Sequence, residues 1–220
     1  MEGIRFGDYH SYDDFGLIIV SKTIGTPKPK TYTFDISGVD GELDVTEYLG
    51  KVKYGNRPLS FEFEIIKKQK DYVTLFSEIQ NAIHGKRLKI ILDIDEDYYY
   101  LGRVTVNEWK SDVAIGKVVI DVDADPYKNK INITNFSATV DDSGVLIANL
   151  LNLKKPVTPL ITVSGETKIK YETGTRKINR VISAGTWTIY DLLLEEGNNI
   201  VTFEAREGNT ILISYQEGCL

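Results

Sequence analysis

Short stretches in which apolar and polar residues alternate recur along the whole chain, and this alternation restricts its fold more than any other feature. Leu59–Ile65 alternates strictly, and residues 30–36 place Tyr32, Phe34 and Ile36 on one side. A period of two residues predicts a half-buried β-strand. In the second half such stretches follow one another at a spacing of about 8–12 residues, with glycine turns between them. The chain is therefore predicted to be mainly β.

One segment departs from this alternation and predicts an α-helix. Its apolar residues recur at helical spacing and are Tyr72, Leu75, Phe76, Ile79 and Ile83. Asp71 suits the N-cap position, and Gly85 suits the position just after the helix. His84, in the last turn, is interpreted as a cation-capable residue near the negative helix end. A catalytic role for His84 is the less favoured alternative.

Charge distribution and a proline predict a domain boundary near residue 127. Residues 1–127 contain 16 Lys+Arg and 22 Asp+Glu, whereas residues 128–220 contain 10 of each. Pro126 restricts Asp125 to extended geometry and has no amide donor for a sheet. We predict an N-terminal antiparallel β domain with one packed α-helix in 1–127. For 128–220 we predict a C-terminal β-sandwich or jelly roll.

Composition argues against several classes of function. The 220 residues carry a formal net charge of −6, which argues against a protein that binds duplex DNA. No apolar run approaches the roughly 20 residues that span a bilayer, and the N-terminus lacks a signal-peptide pattern. Cys219 is the only cysteine, and His10 and His84 are the only histidines. A zinc site of the usual ligands cannot be assembled from these, and we predict no metal or cofactor.

Two acidic clusters are the remaining candidates for chemistry. Residues 93–97 resemble the start of a calcium-binding loop, but Tyr98 and Val104 occupy the positions where glycine and glutamate are required. Asp121, Asp123 and Asp125 share one side of a predicted strand. We interpret the clusters as a charged hairpin turn and as a solvent-facing or partner-facing surface. A small hydrolase that uses these carboxylates is the least favoured hypothesis, and no catalytic residue is predicted.

The aromatic residues of the second half are candidates for a sugar-binding platform. They are Tyr171, Trp187, Tyr190, Phe203 and Tyr215. Trp187 shares one side of a strand with Ile189 and is therefore interpreted as a core residue. Tyr171 and Tyr190 are the candidate sugar-facing residues. The alternative function is thus a carbohydrate-binding adhesion module that recognises a bacterial cell-wall glycan.

An ordered set of motifs resembles the N-terminal domain of phage distal tail (Dit) proteins. In chain order they are Asp14-Phe-Gly-Leu, Thr26-Pro-Lys-Pro, Ile36-Ser-Gly-Val-Asp-Gly-Glu-Leu-Asp, Tyr54-Gly-Asn-Arg, Phe61-Glu-Phe-Glu, Ile83-His-Gly, Tyr99-Tyr-Leu-Gly-Arg-Val and the closing Asp125-Pro-Tyr-Lys. The second half is similar to the family's galectin-like β-sandwich, including Pro159-Leu-Ile-Thr-Val-Ser-Gly and Tyr215-Gln-Glu-Gly-Cys-Leu. The resemblance covers essentially the whole chain.

This resemblance implies a structural, non-enzymatic component of a siphophage tail, without cofactor, metal or membrane contact. Family members form a hexameric ring around the DNA channel at the tail tip. The ring docks to the tail tube protein on one side and to a tail-associated tip or baseplate protein on the other. Galectin-like domains project outward and hold receptor-binding proteins. The implied location is the virion tail tip, after synthesis in the cytoplasm of the bacterial host.

If the chain forms the implied ring, the loop Ser37–Asp44 and the motif that ends at Arg57 are candidate contacts between subunits. Asp40 and Asp44 can accept hydrogen bonds from nearby backbone N–H groups. Arg57 can pair with a carboxylate in its own domain or across a subunit boundary. We therefore predict that Asp40, Asp44, Tyr54 and Arg57 lie in the oligomer interface. The alternative is an ordinary β-hairpin with a surface arginine.

Predicted strands with unpaired edges also favour ring formation. Strands such as Phe61–Ile65 are expected to need a partner at their edge. An acidic first domain accords with a negatively charged channel through which DNA passes without adhering.

Overall fold

The computed structural model describes residues 2–65, 69–111, 116–174 and 176–220. The chain divides into two compact units, Met1–Lys128 (the first unit) and Asn129–Leu220 (the second unit). This division lies next to the predicted boundary, and the two domain ranges, 1–127 and 128–220, stay a prediction. Within the described ranges, no helix is long and apolar enough to cross a membrane.

The structure is mainly β, as predicted. The helix α1 spans Gln69–Ile83. The strands are β1 Ile4–Phe6, β2 Tyr9–His10, β3 Ile18–Ile24, β4 Pro29–Lys30, β5 Thr33–Asp35, β6 Glu42–Asp44, β7 Lys53–Tyr54, β8 Arg57–Ile65, β9 Arg87–Leu92, β10 Tyr98–Ser111, β11 Gly116–Ala124, β12 Lys128–Lys130, β13 Thr134–Thr139, β14 Val145–Asn152, β15 Leu160–Val163, β16 Thr167–Thr173, β17 Arg176–Ile182, β18 Gly185–Thr188, β19 Gly197–Ala205, β20 Thr210–Tyr215 and β21 Gly218–Cys219.

The first unit is built on an antiparallel sheet with the strand order β2-β1-β9-β10-β11-β8-β3. Alternation along β8 buries Leu59, Phe61 and Phe63 on one side and leaves Glu62 on the other. The predicted strand Leu59–Ile65 is therefore confirmed. The expectation that it needs an edge partner is wrong, because β8 lies between β11 and β3. The strand at this edge of the sheet is β3.

Helix α1 covers the apolar side of this sheet. Its residues Tyr72, Leu75, Ile79 and Ile83 are buried in the first unit's core, as the helical spacing predicts. The helix begins at Gln69, so Asp71 belongs to its first turn and the predicted N-cap is wrong. The Asp71 side chain lies outside the described residues.

The predicted stop signal at Gly85 is confirmed by the backbone. Gly85 follows the helix with φ +72°, which a residue with a side chain rarely adopts. Its N–H donates to the carbonyl of Val104 at 2.8 Å, which ties the helix end to β10.

The second unit is a β-sandwich, as the alternation predicts. One antiparallel sheet has the order β13-β20-β15-β18, and the other has the order β14-β19-β16-β17. The buried sides of both sheets contribute to one apolar cluster, with Ile161 and Ile213 from the first sheet and Ile169 and Phe203 from the second. Burial of these aliphatic and aromatic side chains against one another stabilises the unit.

Trp187 is not the core residue that its position on the strand suggested. Its side chain is partly exposed on β18, the edge strand of its sheet, and its indole N–H donates to the carbonyl of Ser183 at 2.9 Å. Ile189 is buried as expected. An edge strand has no neighbour on its outer side, so a large inward-pointing ring there is covered only in part.

His84 has a different role from the predicted helix-end cation. Its Nδ1 accepts a hydrogen bond from the backbone N–H of Val106 at 3.0 Å, and this requires an unprotonated Nδ1. Val106 lies where the pairing of β10 with β11 shifts register at a β-bulge. The Val104 N–H donates to the Lys86 carbonyl, so the Val106 N–H two residues later faces the same edge of β10, beyond the start of β9 at Arg87. The imidazole therefore accepts from a β10 amide that β9 does not reach.

Replacing His84 with Ala should weaken protection of the Val106 amide against hydrogen exchange. The lost hydrogen bond corresponds to about 0.5–1.5 kcal/mol, or roughly a threefold to tenfold increase in exchange rate if local opening permits exchange. Asn at this position retains a short acceptor near Nδ1, so His84→Asn should keep most of the protection. Amide exchange measured by NMR tests both variants, and equal protection in His84→Ala and wild type would contradict this role.

Candidate assembly surface

A long excursion leaves the first unit's sheet between two hydrogen-bonded neighbours, β3 and β8. Residues 25–56, here called the arm, contain two pairs of short antiparallel strands, β4 with β7 and β5 with β6. At its origin the Gly25 N–H donates to the Pro58 carbonyl at 2.8 Å. A Cβ on Gly25 would lie 2.7 Å from that oxygen, so only glycine permits this close approach.

The far part of the arm, residues 31–50, is here called the arm tip and exposes apolar side chains. Phe34 on β5 stands opposite Leu43 on β6, and Phe34 is 61% exposed. Tyr48 is 90% exposed. Further exposed apolar side chains of the arm tip are Tyr32, Ile36 and Val39.

The predicted half-buried strand over residues 30–36 is therefore wrong in two respects. The segment forms two short strands, and the side that alternation assigned to a core is exposed in this chain. The alternation itself is real, because it creates an apolar side on a two-stranded ribbon. Two strands alone have nothing to pack against that side.

Acidic residues accompany this apolar surface. Residues 31–50 contain Asp35, Asp40, Glu42, Asp44 and Glu47 and no Lys or Arg. The side chain and backbone N–H of Thr46 donate to Asp44 Oδ1 at 2.5 and 2.9 Å, and these bonds hold the pKa of that carboxyl below its usual value. The arm tip is therefore both apolar and negatively charged at neutral pH.

The predicted interface residues fall into two groups. Asp40 and Asp44 lie on the exposed arm tip, whereas Tyr54 and Arg57 lie at the arm's base. The Tyr54 ring contacts that of Tyr127 edge-to-face, with centroids 6.1 Å apart. These contacts anchor the base of the arm to the first unit.

Arg57 is not the surface arginine of the alternative interpretation. It is 5% exposed, and its guanidinium carbon lies 5.4 Å from the centroid of the Tyr100 ring. Its Nε has no hydrogen-bond partner among the described residues. Arg57 is thus a buried side chain held by a cation–π contact.

The candidate carboxylates at 93–97 and 121–123 each engage in local bonds. Asp93 accepts a hydrogen bond from the Gly3 N–H and pairs with His10, and Asp95 pairs with Lys128. Asp121 accepts hydrogen bonds from Ser60 and Asn107, and Asp123 accepts one from Asn56. In the described part of the chain, no group of three His, Cys, Asp or Glu residues could hold a metal ion. These carboxylates therefore lie in a turn and on the polar side of the sheet, which agrees with the interpretation favoured in the sequence analysis.

The two candidate sugar-facing tyrosines have opposite environments. Tyr171 is buried, with its hydroxyl 2.8 Å from Asn199 Oδ1, and burial raises its pKa. Its ring is therefore withdrawn from any sugar-facing surface. Tyr190 is 82% exposed and borders a groove of about 480 Å³ that Arg176 and Arg180 also line.

The sequence interpretation missed the exposed apolar residues of the arm tip. Phe34 and Leu43 were indistinguishable from core residues, because their alternation is that of a half-buried strand. The usable signal was the combination of this alternation with two closely spaced glycines, Gly38 and Gly41, and with a run of twenty residues free of Lys and Arg. Such a segment can form only a short ribbon.

Comparison with solved structures shows what this architecture resembles. The chain matches the crystal structure of SPP1 Dit, a hub protein of the adsorption apparatus in phages that infect Gram-positive bacteria. The TM-score is 0.72 at 15% sequence identity, and the match covers 100% of both chains. No protein-family model matches the sequence, and no curated protein matches it. The resemblance inferred from the motifs is confirmed at the level of the fold.

Replacing Arg57 separates the contribution of its stem from that of its charge. Arg57→Ala removes buried aliphatic packing and the contact with Tyr100, and it should lower the free energy of unfolding by about 1–3 kcal/mol. Arg57→Met keeps the volume without a buried charge and should be close to wild type or more stable. Chemical denaturation followed by Trp fluorescence measures both. Equal losses in the two variants would show instead that the guanidinium itself is required.

Proposed function

We propose that this chain is a distal tail protein that forms the hub ring at the tip of a phage tail or a related tail-like particle. The observation that carries the proposal is the arm tip, an exposed apolar and acidic ribbon on a chain whose whole length has the fold of SPP1 Dit. In this proposal the protein is structural and has no catalytic activity.

The physics of the arm supports self-assembly. A two-stranded hairpin is marginally stable in water on its own. Six large apolar side chains on the arm tip are exposed, namely Tyr32, Phe34, Ile36, Val39, Leu43 and Tyr48. A contiguous exposed apolar patch of this kind marks an interaction surface. Contact of the arm with the next subunit repeats around a closed ring, which in the proposal is a hexamer.

The ring in this proposal joins the tail tube protein to a tail-associated tip or baseplate protein. The first units surround the channel, and the second units, as galectin-like domains, face outward where receptor-binding proteins attach. Residues 1–127 contain 16 Lys+Arg against 22 Asp+Glu. A channel surrounded by domains of net negative charge would let DNA pass without adhering.

The predicted interface residues take two roles in the proposal. Asp40 and Asp44 contact the neighbouring subunit as part of the arm tip. Tyr54 and Arg57 act indirectly, because their contacts with Tyr127 and Tyr100 fix the base from which the arm extends. In this proposal the protein lies at the virion tail tip after synthesis in the host cytoplasm.

Charge placed on the arm tip should prevent assembly without unfolding the chain. Phe34 is mostly exposed, so Phe34→Asp should change the free energy of unfolding by no more than about 0.5 kcal/mol. Burying a phenylalanine in an interface contributes about 1.5–3 kcal/mol, so self-association should weaken roughly tenfold to a hundredfold.

Light scattering across a concentration series, alone and with the tail tube protein, measures this change. Val73→Asp is the matched control, because Val73 is an exposed apolar residue on helix α1, away from the arm. A wild-type chain that stays monomeric in every condition, including within assembled tails, would contradict the proposal that the protein forms a ring. Undiminished assembly of Phe34→Asp would remove the arm from the interface.

A second candidate function, adhesion to a cell-wall glycan, rests on Tyr190. An exposed aromatic ring beside Arg176, Arg180 and Asn179 in a groove suits a sugar with an anionic substituent. If this function holds, a glycan array should show binding by wild type that falls at least tenfold in Tyr190→Ala. Tyr9→Ala, which changes an exposed tyrosine of the first unit, is the control. Absence of binding by wild type, or equal binding by both variants, would contradict it.

A further inference from the structure

We infer that the arm tip of one subunit docks on the outward side of the sheet β14-β19-β16-β17 in a second copy of the chain. This inference rests on the proposed function, because it names the surface that receives the arm. The receiving side is here called the receiver face. It is chosen by two properties that match those of the arm tip, exposed apolar residues and neighbouring cations.

The apolar part of the receiver face lies on β14 and β19. Alternation along β14 buries Ala148 and Leu150 and leaves Ile147 and Leu151 on the opposite side, where Leu151 is 64% exposed. Ile200 on β19 stands opposite Asn149 and is also exposed. These side chains form a strip across two neighbouring strands. Apolar residues grouped on the outward side of a sheet indicate a contact surface.

The cationic part of the receiver face lies on β16 and β17. Lys170 stands opposite Thr202 of β19 and Asn179 of β17, so its side chain shares the side that carries the apolar strip. A groove of about 540 Å³ runs between these elements, and its lining includes Lys170, Lys177 and Ile200. The groove therefore combines an apolar side chain with two ammonium groups, and its lining also includes Glu172, which pairs with Lys177.

Exposed lysines on a sheet also have an ordinary explanation, which is protection of an edge strand from pairing with other chains. That explanation suits Lys177, since β17 is an edge strand. It does not account for Lys168 and Lys170, because β16 lies inside the sheet between β19 and β17. Their partner Glu204 accepts a hydrogen bond from Lys170 and lies 3.5 Å from Lys168, so one carboxylate serves two ammonium groups.

The arm tip matches this surface in both properties. Phe34 is followed by Asp35, and Tyr48 is preceded by Glu47, so each exposed ring has a carboxylate beside it. An aromatic side chain of the arm tip that contacts the apolar strip near Ile200 would bring its neighbouring carboxylate toward the lysines of the receiver face. Apolar burial supplies most of the affinity in such a contact, and the opposite charges set its orientation and partner.

The polar side of the first unit's sheet is a poorer receiver. Its strands β8 and β11 mix Glu62, Glu64, Asp121 and Asp123 with Lys117. Neither strand carries an exposed large apolar side chain, so the apolar side chains of the arm tip would have no apolar partner there. The exposed apolar strip therefore selects the second unit.

Two variants of the receiver face test the inference in the full-length chain. Ile147→Asp disrupts the apolar strip, and Lys177→Glu reverses a charge that lines the groove. Each should weaken self-association at least tenfold in sedimentation velocity. Leu160→Asp is the control for the first, since Leu160 is an exposed residue on the other sheet. Lys154→Glu is the control for the second, because Lys154 pairs with Glu196 on the surface as Lys177 pairs with Glu172.

Zero-length carbodiimide cross-linking identifies the contact directly. Isotope-labelled and unlabelled subunits are mixed, so that cross-links between chains are recognised by mass. We expect links from Asp35, Glu42 or Glu47 to Lys168, Lys170 or Lys177. The Lys177→Glu variant remains informative if Ile147→Asp does not fold, because Lys177 is a surface side chain.

The outcomes separate this inference from the proposed function. Loss of assembly in Phe34→Asp, with normal assembly in both receiver-face variants or with arm cross-links confined to other lysines, overturns the receiver face and leaves the arm-mediated ring intact. Normal assembly in Phe34→Asp overturns the receiver face and the role of the arm, whereas the ring itself is overturned only by a wild-type chain that stays monomeric. Weakened assembly in the receiver-face variants, together with the expected cross-links, supports both.

Discussion

Pairing between β3 and β8 is the constraint on which the rest of this structure depends. Ile24 stands opposite Leu59, so the chain leaves the sheet and returns to it at adjacent points. Everything between these points must be accommodated outside the sheet, as an arm with its two ends held together. The close approach of Gly25 to Pro58 and the burial of Arg57 fix where the arm begins and ends.

The arm differs from the rest of the chain in what its apolar residues can contact. In the first unit the sheet buries its apolar side under α1, and in the second unit two sheets cover one another. The ribbon of β5 and β6 has neither a helix nor a second sheet against its apolar side. Its exposed aromatic and aliphatic side chains are the observation on which the proposed assembly role rests, and the match to SPP1 Dit is a match of fold.

Sequence reasoning succeeded where one periodicity has one structural solution. The helical spacing of Tyr72, Leu75, Ile79 and Ile83 predicted the buried side of α1, and strict alternation predicted β8. It failed for Trp187, because alternation gives the side of a strand but not whether that strand is at an edge. It failed for His84, because the Val106 N–H faces the imidazole only where the folded β10 extends past the start of β9.

By itself, the sequence determined the secondary structure of most segments, the mainly β class and the acidic character of the arm tip. These follow from local periodicity and from charge, which are properties of neighbouring residues. Only the tertiary structure decided which apolar sides are covered. Burial depends on which distant strands become neighbours, and an exposed Phe34 and a buried Phe61 have the same local pattern. For the same reason Arg57, adjacent in sequence to an exposed loop, became a buried side chain on Tyr100.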